Sequence, residues 1–104
     1  MVTRIELLVD DLADGEEAFD AALPALLLQA KQLPAVQRIE SGAVWPREDG
    51  SATPASRTLV LYFPGYEEAS AATASPEGYL FFRAFYRAAS EQVTELFTDV
   101  TDVE

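Results

Sequence analysis

The stretch Arg57-Thr58-Leu59-Val60-Leu61-Tyr62-Phe63 is the clearest β-strand in the chain, and the fold is read outward from it. Its side chains alternate. Leu59, Leu61 and Phe63 point to one face; Thr58, Val60 and Tyr62 point to the other. Both faces are substantially apolar. Pro64-Gly65 ends the strand. Residues 46–56, rich in Pro, Gly, Ser and Asp, precede it as a loop. Before that loop, residues 35–45 read as another strand with a weak point at Gly42.

Upstream, residues 3–9 alternate too, with Ile5, Leu7 and Val9 on one side and Arg4, Glu6 and Leu8 on the other. A helix follows. Asp14 with Glu17 three residues on makes a capping-box arrangement at its start. Phe19, Ala22, Leu23, Leu26, Leu27, Ala30 and Leu33 fall within about 120° of arc at about 100° per residue. Pro24 interrupts this helix and predicts a kink near residues 20–24 on the solvent face. Pro34 is read as its stop, and Leu28 falls on its polar side as an unexplained apolar residue.

Downstream, residues 66–74 form a short Ala-rich helix. Ser75-Pro76 starts the next, with Ser as N-cap and Pro at N1, running to about Ser90. Tyr79, Phe81, Phe82, Phe85, Tyr86, Ala88 and Ala89 share one half of it, with Phe82 and Phe85 read as core. Arg83 and Arg87 sit on the other half. Residues 92–100 read as a last strand. The order β-α-β-β-α-β predicts an α+β, ferredoxin-like fold: a four-stranded antiparallel sheet with helices on one face.

Length and composition bound what such a domain can do. The 104 residues make one domain, residues 1–104. They carry 7 Lys and Arg against 18 Asp and Glu, for a net charge of −11. Such acidity argues against a nucleic-acid partner, which needs clustered cations. The absence of His and Cys removes imidazole bases, thiolates, disulfides and the common metal ligand sets. Any metal site would have to be all-oxygen, and Asp10-Asp11 with Asp14 lacks the spacing of a calcium loop. No window approaches the roughly 18 apolar residues of a membrane span, and the N-terminus is no signal peptide. A cytoplasmic protein with no membrane partner is the expectation.

The two-faced strand implies a partner. Helices cover only one face of the sheet. Leu8, Val60 and Tyr62 would then join into an exposed apolar patch on the other. The simplest cover is a second copy about a two-fold axis, so a homodimer built sheet against sheet is expected. The alternative is a monomer with a mixed face.

Candidate chemistry is sparse. The acidic pairs Glu16/Glu17, Glu48/Asp49 and Glu67/Glu68 read as solvated. Glu40 and Glu95 lie in strands, where a carboxylate could act as a base. A cross-strand ion pair with Arg4, Arg38 or Arg57 is the favoured reading. Tyr62, Tyr79 and Tyr86 could supply polar groups to an apolar pocket. Arg83 and Arg87, one turn apart, could hold a carboxylate. With 18 acids in the chain, answering local negative charge is the favoured role.

Several segments resemble the EthD family of the dimeric α+β barrel superfamily. Leu33-Pro34-Ala35-Val36-Gln37-Arg38 is similar to the family's Leu-Pro-Gly-Leu-Arg-Arg entry to the second strand. Ala74-Ser75-Pro76-Glu77-Gly78 resembles its Ala-Ser-Pro-Glu-Gly helix start, and Tyr66-Glu67-Glu68-Ala69 the segment before it. The family often carries His-x-Pro in the first helix. Here Pro24 matches, and Ala22 stands where that His would be. The resemblance implies this fold, dimerisation, and work on small cyclic or polyketide-like molecules without a cofactor. It suggests a cavity between helices and sheet, with Phe19, Leu23, Tyr79, Phe82 and Tyr86 as ligand-binding residues. Whether the chain is an enzyme stays open. The alternative is a non-catalytic homodimeric binding or interaction module with no open pocket.

Overall fold

The computed structural model describes residues 1–10, 12 and 15–101. Seven elements follow one another: β1 (Thr3–Val9), α1 (Glu16–Ala30), β2 (Arg38–Ala43), β3 (Arg57–Phe63), α2 (Tyr66–Ala74), α3 (Pro76–Ala88) and β4 (Val93–Asp99). The strands form one antiparallel sheet in the order β2-β3-β1-β4. This is the expected ferredoxin-like fold, with the helices on one face.

The register explains which residues meet. Leu7 lies opposite Leu59 on one side and Glu95 on the other; Ile5 lies between Leu61 and Phe97. Period two then sends Ile5, Leu7, Val9, Leu59, Leu61 and Phe63 beneath the helices, where all are buried. The helices answer with Phe19, Leu26 and Ala30 from α1, Ala69 and Ala72 from α2, and Phe81 and Phe85 from α3. Phe85 meets the Phe19 ring edge-on at 5.6 Å and lies 5.8 Å from Phe81. Full burial of each such ring contributes about 2–3 kcal/mol. The α3 core residues are thus Phe81 and Phe85. Phe82 lies one step round the helix, only half-buried, and Tyr79 is exposed. The apolar half of α3 is narrower than its sequence suggests.

Other boundaries differ as well. Gly15 is the residue capping α1; the proposed cap Asp14 lies outside the described residues, as does Asp11. The helix ends at Ala30 rather than at Pro34. Tight bonds from Gln32 N–H to the Gln29 carbonyl (3.0 Å) and from Leu33 N–H to the Ala30 carbonyl (3.1 Å) close its last turn. Ala35 then takes a φ of 63° and turns the chain. β2 is correspondingly shorter than residues 35–45: it starts at Arg38. It ends at Ala43 because Ala43 pairs with Arg57, where its partner strand begins. Pro24 sits exposed within an unbroken α1, and Leu28 is exposed at 64%.

The α2–α3 corner is built by the Ser-Pro-Glu-Gly motif. Ser75 Oγ accepts from Gly78 N–H at 2.9 Å and donates to the Ala72 carbonyl at 2.6 Å. Pro76 occupies the first turn, where a missing N–H costs nothing. Gly78 is buried, and a methyl group in its place would run into the Ala72 carbonyl oxygen.

Candidate functional site

The five expected ligand residues separate into two places. Tyr79, Phe82 and Tyr86 line an open groove of about 480 Å³ along one flank of α3, together with Thr73, Gly78, Arg83, Arg87 and Glu91. The spacing i, i+3, i+7 makes this one stripe of the helix. It lies beside the core stripe of Phe81 and Phe85 and not upon it. Glu91 closes the far end because Ser90 and Glu91 both adopt positive φ, at 53° and 63°, where the chain turns into β4. No residue type in that turn signals such a backbone, so Glu91 is not readable from sequence.

Tyr86 is the fixed point of the groove. Its hydroxyl donates to Glu95 Oε2 at 2.9 Å, tying α3 to β4. Burial, reinforced by the Glu95 carboxylate, pushes the phenol up to about 12. It therefore stays a neutral donor. Tyr79, nearly two turns earlier, accepts from Arg83 Nη1 at 2.9 Å. The Arg83 guanidinium also stands 5.7 Å from the Tyr79 ring centre. Among the described residues neither Arg83 nor Arg87 forms an ion pair. Local acids do not answer them, contrary to the expectation from composition.

Phe19 and Leu23 lie elsewhere. They line a smaller cleft of about 290 Å³ between α1 and the β2–β3 side of the sheet, with Asp20, Ser41, Gly42, Ala43, Arg57 and Thr58. This cleft owes its opening to the small residues Ser41-Gly42-Ala43 on β2. Its charges are already engaged. Arg57 Nε and Nη2 donate to the two Asp20 carboxylate oxygens at 2.9 Å each. Arg57 also stands 3.7 Å from Glu16 and donates to the Ser56 carbonyl. That bidentate contact holds the Asp20 carboxyl below its ordinary value and the guanidinium above its own.

The strand carboxylates are partnered too. Glu40 accepts from Tyr62 Oη at 2.8 Å and pairs with Arg38 at 2.9 Å. The Tyr62 bond first, then Arg38, keeps it below the usual carboxylate range. Glu40 is thus ion-paired, but to Arg38 on its own strand rather than across the sheet, and Glu95 accepts from Tyr86 instead of pairing with an arginine. Among the described residues, no group of three or more acidic side chains could hold a metal ion.

The uncovered sheet face carries Leu8, Val60 and Tyr62, all partly exposed. By register, Leu96 joins them from β4. Between them stand Arg4 with Glu6, 3.9 Å apart, and Arg38 with Glu40. The patch is therefore mixed, not purely apolar. Among the described residues, no helix is long and apolar enough to cross a membrane.

The layered fold is shared with known structures. An ethyl tert-butyl ether D (EthD) family protein from Bacillus halodurans superposes with a TM-score of 0.86, at 12% identity, over 97% of this chain and 100% of its own. The chain has the EthD fold. A hydroxynitrile lyase from Passiflora edulis is similar to this EthD-fold chain at a TM-score of 0.75, 12% identity, over 99% of this chain and 95% of its own. A dimeric ferredoxin-like protein of unknown function from Thermobifida fusca matches at 0.69, 14% identity, over 96% and 92% respectively. No family model and no curated protein matches the sequence.

Proposed function

We propose that this protein is an EthD-type homodimer that binds a small cyclic or aromatic molecule of catabolism or secondary metabolism in the α3 groove. The observation that carries this is the single stripe of Tyr79, Phe82 and Tyr86 lining about 480 Å³ of open space. Ligand pockets span about 300–1,000 Å³ and are mostly apolar with a few placed polar groups. The α1–β2 cleft is smaller, and its charged groups satisfy one another. Conversion of the ligand would fall to Tyr, Glu or Arg, since Ala22 stands where the resembling family often has His. The EthD-fold neighbours include one named as a lyase, which makes chemistry on this scaffold feasible. Dimerisation is supported by the uncovered sheet face and by a neighbour named as dimeric.

The test is a ligand-observed and protein-observed NMR screen with small aromatics, both neutral and acidic, and lactones. Binding should shift the signals of Tyr79, Phe82 and Tyr86, and Phe82→Ala should abolish it in a protein that still folds. Phe82 is half-buried, so its truncation is tolerable where Phe85→Ala is not. Shifts confined to Phe19 and Leu23 would move the site to the α1–β2 cleft. A screen with no hit at either place would favour a dimeric interaction module with no ligand.

A further inference from the structure

We propose that the α3 groove selects a singly charged aromatic carboxylate, its ring against Tyr79, Phe82 and Tyr86 and its carboxylate on Arg83 and Arg87. This rests on the groove being the ligand site and adds the charge of the ligand.

The first observation is where the cations go. The chain has only seven basic side chains against 18 acidic ones. Arg4, Arg38 and Arg57 each stand within 4 Å of a carboxylate. The other four, Lys31, Arg47, Arg83 and Arg87, form no ion pair among the described residues, and of these only Arg83 and Arg87 stand together, both lining one groove. They also sit four residues apart on one helix, where like charges repel. Two adjacent guanidiniums in an acidic protein, both lining the largest groove described, make a local well for an anion.

The second observation is preorganisation. Arg83 is held by its bond to the Tyr79 hydroxyl and by its stance over the Tyr79 ring. That bond uses Nη1, so the other N–H groups of the fork remain to grip a carboxylate. Tyr86 lends its ring but not its hydroxyl, which Glu95 already accepts. The groove thus offers aromatic faces and a cationic rim a few ångströms apart, the pattern that a ring bearing a carboxylate would fill.

The third observation sets the charge. Glu91 lines the same groove and would oppose a second negative charge. So would the net charge of −11. A monoanion fits; a dianionic phosphate ester does not.

Titrations of the full-length protein with four probes decide it: benzoate, benzamide, cyclohexanecarboxylate and phenyl phosphate. Benzoate should bind at the groove at least about tenfold tighter than each of the others. Arg87→Gln and Arg83→Gln should each weaken benzoate by about five- to tenfold and leave benzamide unchanged. Gln is a good helix former, and circular dichroism would confirm that α3 persists. If benzamide binds as tightly as benzoate, or the Gln variants bind benzoate normally, the charge assignment is overturned while the groove reading stands. If phenyl phosphate binds as tightly as benzoate, the monoanion preference is overturned. If no aromatic probe shifts groove residues, the groove reading fails first and this inference with it.

Discussion

Gly78 shows how a single residue sets the shape of the site. It is buried at the α2–α3 corner, and an added Cβ would collide with the Ala72 carbonyl and lie 2.8 Å from that of Thr73. Both neighbours are backbone, so neither can rotate away. Gly78→Ala should therefore cost more than about 2 kcal/mol. Ser75→Ala, which loses one cap, should cost about 1 kcal/mol. In a domain of this size each kcal/mol lowers Tm by about 4–8 °C, so thermal unfolding at matched protein concentration separates the two. A Gly78→Ala protein melting within error of the parent would show that the corner has more room than its geometry allows. The Ser and Pro of this motif are legible from sequence, since their roles are local. The role of Gly78 is not, because it depends on where α2 lies. Tyr79 and Phe82 are ambiguous for the same reason. A helical wheel gives angles from the axis, and only packing against α1 and α2 fixes which angle is the core.

At the scale of elements, the legible ones are those whose pattern is set by their own side chains. β1, β3 and α2 fall on the residues read for them, because strict alternation or uniform Ala leaves one solution. β2 has no such pattern: Arg38 to Ala43 is mostly exposed, and its limits are imposed by its partner β3. The α1 terminus likewise follows from backbone geometry at Ala35. A polar link from α1 to the start of β3 is the Arg57–Asp20 clasp, which joins residues 37 apart and is invisible in sequence. Its pH dependence has a definite sign. Asp20 titrates below its ordinary 3.8 when folded, chiefly through the hydrogen bond from Arg57. Its contribution is therefore present above the unfolded pKa and lost as pH falls through the folded one. Because Asp20 is exposed, the effect is modest. The stability gap between the parent and Asp20→Asn should be full at neutral pH and close progressively below about pH 4. A gap that stays constant through that range would show the clasp to be energetically idle.

The whole molecule is a slab, 38 × 33 × 18 Å, one sheet and one layer of helices. Its uncovered face differs from the rest of the surface in charge. Arg4 and Arg38 are matched there by Glu6 and Glu40, for a local net charge of zero, although the chain carries −11. Two copies meeting by this face would not set net like charge against like charge there. In an isologous contact each Arg–Glu ladder meets its own image, so the pattern is self-complementary. Leu8, Val60, Tyr62 and Leu96 supply apolar area between the ladders. Arg4 Nε is shielded from solvent and has no hydrogen-bond partner among the described residues. Sedimentation velocity at micromolar concentration should accordingly show a dimer. Val60→Asp, placing a charge at the centre of β3, should shift it to monomer with the fold retained by circular dichroism. Added salt should tighten the parent dimer slightly, because it screens repulsion between two acidic bodies more than it weakens short paired contacts. A parent protein that sediments as a monomer would remove the sheet-to-sheet pairing. The mixed face would then be an ordinary solvated surface, with its ladders pairing only within one chain.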